Sequence, residues 1–240
     1  MNGHKPTYVR VIPEAGMATV FTPHVGRSGG RHPALRTPED NQRIAMRRAA
    51  FLLEATVRAH RCDTLATFTF KEEPPGADDT RRIWRNALRR SQPSSGDLFY
   101  AMVAEGGPTK RLHLHVLGRL ELIERLAANW ETHGIVHVRS VPFNELGRTS
   151  EYLSKDFANP NRLFSRRYTA LRGSKPMVEP FEVADHDEGI QIVAAFSECA
   201  ALERLEEMKL PFGQFTKLIW TPCQIIAPLE HFSLASADLD

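Results

Sequence analysis

Two short apolar segments separated by a tight turn constrain the fold of this chain more than any other feature. Residues 98–105, "LFYAMVAE", are followed by the turn "GGPTK" and then by residues 111–118, "RLHLHVLG". Apolar segments of this length are typical of β-strands, and so short a turn joins strands that run antiparallel. We therefore predict a β-hairpin near the middle of the chain and an antiparallel sheet around it.

The second strand of the predicted hairpin carries two histidines on one face. Because alternate residues of a strand point the same way, His113 and His115 share a face, and the aliphatic residues between and beside them point to the core. Imidazole is the commonest metal-ligating side chain, although two surface histidines on a solvated strand are the alternative. Glu105, at the end of the first strand, pairs close to His113 and shares its face unless the turn contains a bulge. Two imidazoles and a carboxylate suit Mn²⁺ or Mg²⁺.

A second pattern, "SEYLSKDF", places Tyr152 and Lys155 three residues apart on a predicted helix. At this spacing the two side chains project from the same side of the helix. A tyrosine hydroxyl is a poor nucleophile while it is protonated, and a nearby cation favours the phenolate. Lys155 supplies such a cation or binds a phosphate oxygen. A half-buried tyrosine beside a solvated lysine is the alternative, and it is the commoner one for an isolated pattern of this kind.

Hydrophobic periodicity and helix caps predict the remaining elements. Helices are predicted over residues 38–60 with Thr37 as N-cap, 80–90, 121–134 with Gly134 as the C-terminal stop, 144–157 and 187–208. Further strands are predicted over residues 64–70, 135–141 and 165–171. The order predicts an α+β fold, in which an antiparallel central sheet has helices packed on one face, close to the split βαβ (ferredoxin-like) pattern. An N-terminal helix and a helical C-terminal extension complete it, and residues 211–228 yield no prediction.

Charge is unevenly distributed, although the net charge is only +2. Residues 1–172 contain 27 of the 31 Lys and Arg residues but 17 of the 29 Asp and Glu residues. A basic body beside an acidic C-terminal part favours a polyanionic partner for the body. Five arginines on the outer face of the helix at 80–90 are predicted DNA contacts, with a merely solvated face as the alternative: Arg81, Arg82, Arg85, Arg89 and Arg90.

We divide the chain into a flexible basic arm (1–37), a central domain (38–172) and an acidic C-terminal extension (173–240). The sequence contains no apolar run long enough to span a bilayer and no signal-peptide pattern, so we expect a cytoplasmic protein without a membrane partner. Its three cysteines, Cys62, Cys199 and Cys223, have no metal-binding spacing, and we expect them to be buried free thiols.

The order "LATFTF", then "HLHVL", then "YLSK" resembles the HUH endonucleases, and specifically the rolling-circle replication initiators (Rep proteins) of plasmids and phages. The resemblance covers about residues 63–172. It implies that His113 and His115 bind a divalent metal, Mg²⁺ or Mn²⁺, that Tyr152 is the nucleophile and that Lys155 assists it. Less directly, it implies that Glu105 is a third ligand. Histidines before tyrosine is the initiator arrangement, whereas relaxases have the reverse order.

The resemblance implies a site-specific endonuclease and ligase that nicks single-stranded DNA at a replication origin. Such an enzyme leaves a 5′-phosphotyrosine link and a free 3′-OH that primes rolling-circle replication. Several phage-type initiators have a second tyrosine four residues after the first, but here that residue is Asp156, which indicates a single-tyrosine enzyme. The chain has no G-x-x-x-x-G-K-[ST] loop, so a separate helicase is the expected partner.

Three alternatives remain at this point. The first is an HUH-type transposase with the same chemistry. The second is a non-catalytic module that binds single-stranded nucleic acid on its sheet, which predicts binding without a metal requirement or a covalent adduct. The third is a metal-dependent hydrolase in which water is the nucleophile, and it predicts cleavage that survives the loss of Tyr152.

Overall fold

The computed structural model of the 240-residue chain describes residues 6–23, 37–72, 76–92, 99–107, 110–158, 163–164, 167–170, 176, 180–197, 202–210 and 213–221. These residues form an α+β fold with two antiparallel sheets of five strands each and five α-helices. The predicted α+β class with a central antiparallel sheet is confirmed. Within the described ranges, no helix combines the length and the hydrophobicity that crossing a membrane requires.

The strands, in chain order, are β1 (Thr7–Ile12), β2 (Met17–Pro23), β3 (Thr64–Phe70), β4 (Tyr100–Gly107), β5 (Lys110–Gly118), β6 (Gly134–Ser140), β7 (Thr169–Ala170), β8 (Phe181–Val183), β9 (Leu202–Leu210) and β10 (Gly213–Trp220). The α-helices are α1 (Pro38–Ala59), α2 (Ala77–Ser91), α3 (Leu120–Ala128), α4 (Leu146–Ser154) and α5 (His186–Ser197). Short 3-10 turns flank α4, at Phe143–Glu145 and Lys155–Ala158.

The central sheet has the strand order β6-β3-β5-β4-β7 and contains the predicted hairpin. β4 and β5 pair antiparallel, with Glu105 directly opposite His113. The register shifts between Glu105 and Gly107, so the hairpin does contain a bulge. Because this bulge lies on the turn side of Glu105, the carboxylate keeps the face that His113 and His115 occupy.

Helices cover both faces of the central sheet, so the prediction that they pack on one face is wrong. One face packs against α2 and α3, with Phe68 and Leu114 in its core. On the other face, Leu65, Val103 and Leu117 pack against α1 and α4. The prediction failed because these strands are apolar on both faces near α1 and α4. Only the rest of the second face carries polar side chains, and this part stays open.

A second sheet, in the order β8-β1-β2-β10-β9, joins the two ends of the chain. The prediction of a flexible arm is therefore wrong for residues 7–23, whereas residues 1–5 and 24–36 lie outside the described residues. The helix expected over residues 187–208 is also wrong in part, because α5 ends at Ser197 and β9 follows. The three-residue spacing of Leu202, Leu205 and Met208 imitates a helix, while pairing with β10 makes a strand. The C-terminal extension is thus not purely helical.

Helix α1 lies between the two sheets and contacts both. Its start is confirmed, because the Thr37 side chain accepts a hydrogen bond from the Asp40 amide and the Asp40 carboxylate accepts one from the Thr37 amide. Leu53 on one side packs into the central sheet's core. Ala55 on the other side packs with Ile219 of the second sheet.

Two buried charges on α1 bind the second sheet. Arg58, only 1% exposed, donates hydrogen bonds to the carbonyl oxygens of Ala15 (2.8 Å) and Trp220 (3.2 Å), and its guanidinium lies 3.0 Å from a Glu203 oxygen. One turn earlier, Glu54 accepts a hydrogen bond of 2.6 Å from Lys217. Since a buried charge that loses its partner is strongly destabilising, these contacts fix α1 against the second sheet.

Gly134 does not end a helix, contrary to the prediction. Helix α3 ends at Ala128, a turn follows, and Gly134 is the first residue of β6. A Cβ atom at this position would lie 1.8 Å from the carbonyl oxygen of Thr69. Glycine is therefore needed here because the backbones of β3 and β6 approach so closely.

Candidate active site

The open part of the central sheet's second face carries a group of polar side chains. β5 contributes His113 and His115, β4 contributes Glu105, and β3 contributes Thr67 and Thr69. The pairing places Thr67 opposite His115 and Thr69 opposite His113. Alternation along antiparallel strands therefore collects these five residues on one surface, next to the apolar part that α1 and α4 cover.

His115 is held by a hydrogen bond at each ring nitrogen. Its Nδ1 lies 3.0 Å from the Thr67 hydroxyl oxygen, and its Nε2 lies 2.9 Å from Glu105 Oε2. Burial lowers the pKa of His115, although the hydrogen bond to Glu105 acts in the opposite direction. The imidazole is therefore neutral near pH 7, so Nε2–H donates to the carboxylate and Nδ1 accepts from Thr67. The contact with Glu105 is a hydrogen bond rather than an ion pair.

His113 repeats the arrangement at the next position along the face. The Thr69 hydroxyl oxygen lies 2.9 Å from His113 Nδ1, and the centroids of the two imidazole rings are 6.3 Å apart. In both histidines a threonine thus occupies Nδ1, which makes Nε2 the nitrogen that can serve another ligand. Metal-ligating histidines are commonly held in this way, with one nitrogen fixed by a neighbour and the other available to the metal.

Helix α4 brings Tyr152 and Lys155 to the same surface. Tyr152 is 52% exposed, and its ring centroid lies 6.4 Å from that of His115, nearly perpendicular to it. Lys155 Nζ lies 3.9 Å from the centre of the Tyr152 ring and 3.5 Å from Glu105 Oε1. The two side chains lie on the same side of the helix, as their spacing predicts. Lys155 thus connects the tyrosine to the carboxylate.

The residues present fit a divalent cation by their chemistry, but they are not arranged around one. No group of three or more His, Cys, Asp and Glu side chains within the described ranges is placed to hold a metal ion. Glu105 instead contacts His115 and Lys155. Two imidazoles with Nδ1 held and one carboxylate are nevertheless a suitable donor set for Mn²⁺ or Mg²⁺. A bound cation would replace the proton that His115 shares with Glu105.

The five arginines predicted to contact DNA lie away from these residues. They belong to α2, which packs on the face of the central sheet opposite to the histidines. Two of them form ion pairs within the helix, Arg81 with Asp78 and Arg82 with Asp79, both at 2.7 Å. Arg81 also stacks on the ring of Phe164. The structure therefore does not bring α2 together with Tyr152 and the histidines.

Sequence reasoning missed two other arginines that do lie beside the site. A cleft of about 510 Å³ opens between the central sheet and α4, and it is lined by Leu65, Thr67, His115, Arg139, Glu145, Arg148, Thr149 and Tyr152. Strand alternation could have placed Arg139 on the histidine face, since it pairs with Leu65. Arg148 precedes Tyr152 by four residues, a spacing that puts both on one side of a helix.

Residues 63–157 match the family model of the replication-associated protein ORF2. This span is less than half of the chain, but it contains Glu105, both histidines, Tyr152 and Lys155. The match supports a replication-initiator family and hence a role in DNA replication. Searches of curated proteins and of solved structures gave no significant match.

Proposed function

We propose that this protein is a single-tyrosine HUH-type endonuclease and strand transferase that nicks single-stranded DNA at a replication origin and so initiates rolling-circle replication. The observation that carries the proposal is the meeting of Tyr152 and His115 on one open face, with ring centroids 6.4 Å apart. The match to a replication-associated family supports the biological role. Duplex unwinding is assigned to a separate helicase.

Tyr152 is the proposed nucleophile, because it is exposed beside the two histidines. Its phenolic oxygen forms a bond to the phosphorus of the scissile phosphate and loses its proton. The bond from phosphorus to the 3′ oxygen breaks, and this oxygen takes up a proton and leaves as a 3′-hydroxyl. The phosphotyrosine link keeps the energy of the phosphodiester, so a 3′-hydroxyl can reverse the step and rejoin the strand without ATP.

Lys155 is proposed to serve the same step. Its ammonium group, 3.9 Å from the centre of the Tyr152 ring, restricts the orientation of the ring. It also places a positive charge where the attacked phosphate gathers negative charge. Glu105 accepts from both Lys155 and His115 and so keeps the two in place beside the tyrosine.

Glu105, His113 and His115 are proposed to hold Mg²⁺ or Mn²⁺. When bound, such a cation supplies positive charge at the scissile phosphate. Thr67 and Thr69 orient the two imidazoles through Nδ1, which leaves each Nε2 for the ligand. The proposal predicts that nicking depends on added Mn²⁺ or Mg²⁺ and that replacing both histidines with alanine removes this dependence.

A covalent-adduct assay tests the proposal. The full chain is incubated with Mn²⁺ and a pool of single-stranded DNA labelled at the 3′ end, because the 3′ fragment stays on the tyrosine. We expect a labelled adduct on a denaturing gel, and a DNA-linked peptide containing Tyr152 by mass spectrometry. Tyr152→Phe should abolish it. Tyr8→Phe is the matched control, since Tyr8 is 39% exposed on β1 of the second sheet.

The outcomes separate the alternatives. Salt-sensitive DNA binding without cleavage would leave a non-catalytic binding module. Cleavage by Tyr152→Phe at the rate of the unchanged protein would assign the reaction to water and a bound metal. An adduct that persists in Tyr152→Phe would move the nucleophile to another residue.

A further inference from the structure

The cleft beside Tyr152 contains three charged side chains that the nicking reaction does not use. Arg139 lies on β6, Arg148 on α4, and Glu145 in the 3-10 turn that leads into α4. All three are exposed. None of them takes part in an ion pair within the residues that the structure describes. Their charges are therefore available to a ligand.

The two arginines occupy opposite walls of this cleft. Arg139 pairs with Leu65 in the sheet, and Arg148 is one helical turn from Tyr152. Guanidinium groups bind phosphate oxygens through two parallel hydrogen bonds, and arginine is the residue of choice for this purpose. Because Tyr152 lies in the same lining, a phosphate bound by the arginines adjoins the phosphate that the tyrosine attacks.

The rest of the cleft suits a base. Leu65 contributes apolar surface, and the volume of about 510 Å³ falls in the range of sites for small molecules and is large enough for one nucleotide. Glu145 adds a carboxylate, which only accepts hydrogen bonds when it is ionised. The base must therefore present donors to it.

Among the four bases, guanine presents the best-matched edge to a carboxylate. Its Watson–Crick edge carries two neighbouring donors, N1–H and the N2 amino group, which the two oxygens of Glu145 can accept together. Adenine and cytosine offer one amino group beside an acceptor nitrogen. Thymine offers one N–H between two carbonyl oxygens that repel a carboxylate. Proteins that unstack a base commonly read it by hydrogen bonds to this edge.

We propose that the cleft binds the nucleotide next to the scissile phosphate, with Arg139 and Arg148 on its phosphates, and that Glu145 selects guanine as its base. The position relative to the scissile phosphate rests on the proposed function of Tyr152. Nucleotide binding in the cleft does not depend on nicking, and this separates the two proposals experimentally.

The first test is a titration of the isotope-labelled full chain with each of the four 2′-deoxynucleoside 5′-monophosphates, followed by NMR. We expect dGMP to bind about tenfold more tightly than dTMP. Glu145→Gln should reduce this preference to about twofold or less, whereas Arg148→Ala should weaken all four nucleotides alike. Glu151→Gln, an exposed residue of the same helix outside the lining, is the matched control and should change nothing.

A preference for dGMP that survives Glu145→Gln, or binding that Arg139→Ala and Arg148→Ala both leave intact, would overturn the inference. The second test sequences the DNA captured in covalent adducts from a randomised single-stranded pool. Guanine should be enriched beside the linked phosphate, and Glu145→Gln should remove the enrichment. A dGMP preference without any adduct would contradict the nicking proposal alone, while adducts whose base preference ignores Glu145→Gln would contradict this inference alone.

Discussion

The Lys155 ammonium group lies 3.9 Å from the centre of the Tyr152 ring and, at the same time, 3.5 Å from Glu105 Oε1. One cation thus joins the exposed tyrosine to a carboxylate that also accepts a hydrogen bond from His115. Helix α4 and the hairpin of β4 and β5 meet at this contact. The contact makes Lys155 the residue whose replacement separates chemistry from DNA binding.

Lys155→Met should slow adduct formation by about 100-fold, a loss comparable to that of one donor to a developing negative charge. Lys155→Arg should retain most of the rate, because a guanidinium also stacks on an aromatic ring. Single-turnover rates, measured together with the Kd for the same oligonucleotide, check this. If Lys155→Met lowered affinity and left the single-turnover rate intact, Lys155 would be a DNA contact only.

Thr67→Val and Thr69→Val should each weaken Mn²⁺ binding by about 10-fold to 100-fold, because the hydroxyls that hold Nδ1 of the two histidines are lost. Calorimetric titration of the full chain with Mn²⁺ measures the affinity without any catalytic step. Thr64→Val is the matched control, since Thr64 lies on the same strand and bonds to Asp63 instead. Unchanged Mn²⁺ affinity in both test variants would remove the metal from these histidines.

Lys217→Met should destabilise the fold by about 3–5 kcal/mol, since it leaves the Glu54 carboxylate buried without its partner. The double variant Glu54→Met with Lys217→Met should recover much of this loss, because no unpaired charge remains. Urea denaturation measures both free energies of unfolding. Lys209→Met, on an exposed position of β9, serves as the control. Equal losses in the single and double variants would show that packing, not charge, is responsible.

Cys62 should make stability fall at alkaline pH. Burial raises the pKa of its thiol, so the folded chain keeps a proton that the unfolded chain loses above about pH 8.5. The unfolded state then binds fewer protons, and the free energy of unfolding falls by at most about 1.4 kcal/mol per pH unit for this group. Cys62→Ala should show a shallower decline by urea denaturation between about pH 7.5 and about pH 10.

Burial also raises the pKa values of Tyr100 and Tyr168, so part of the decline should persist in Cys62→Ala. An identical slope in both proteins would contradict the role of the thiol.

Local patterns were sufficient to predict the elements that carry the site. The alternation in β5 placed both histidines on one face, and the three-residue spacing in α4 placed Tyr152 beside Lys155. The hairpin register then brought Glu105 to the same face. These relationships depend only on the periods of strand and helix, which neighbouring residues along the chain define.

Relationships between distant parts of the chain were not predictable from such patterns. β1 and β2 find their sheet partners among β8 and β10, about two hundred residues further on. The arginines of α2 lie behind the central sheet because the apolar side of that helix packs on the face opposite to the histidines. Arg139 and Arg148 enter the cleft only once β6 pairs with β3 and α4 folds over the sheet.

Helix α1 is shared by both sheets, and this ties the timing of folding to the end of synthesis. During translation α1 emerges early, but Arg58 and Glu54 gain their partners only when β9 and β10 have left the ribosome. Arg58 also contacts Phe143, in the turn that leads into the tyrosine helix. A nascent chain that still lacks its last strands therefore cannot hold that helix in its final place, which reserves DNA cleavage for the released protein.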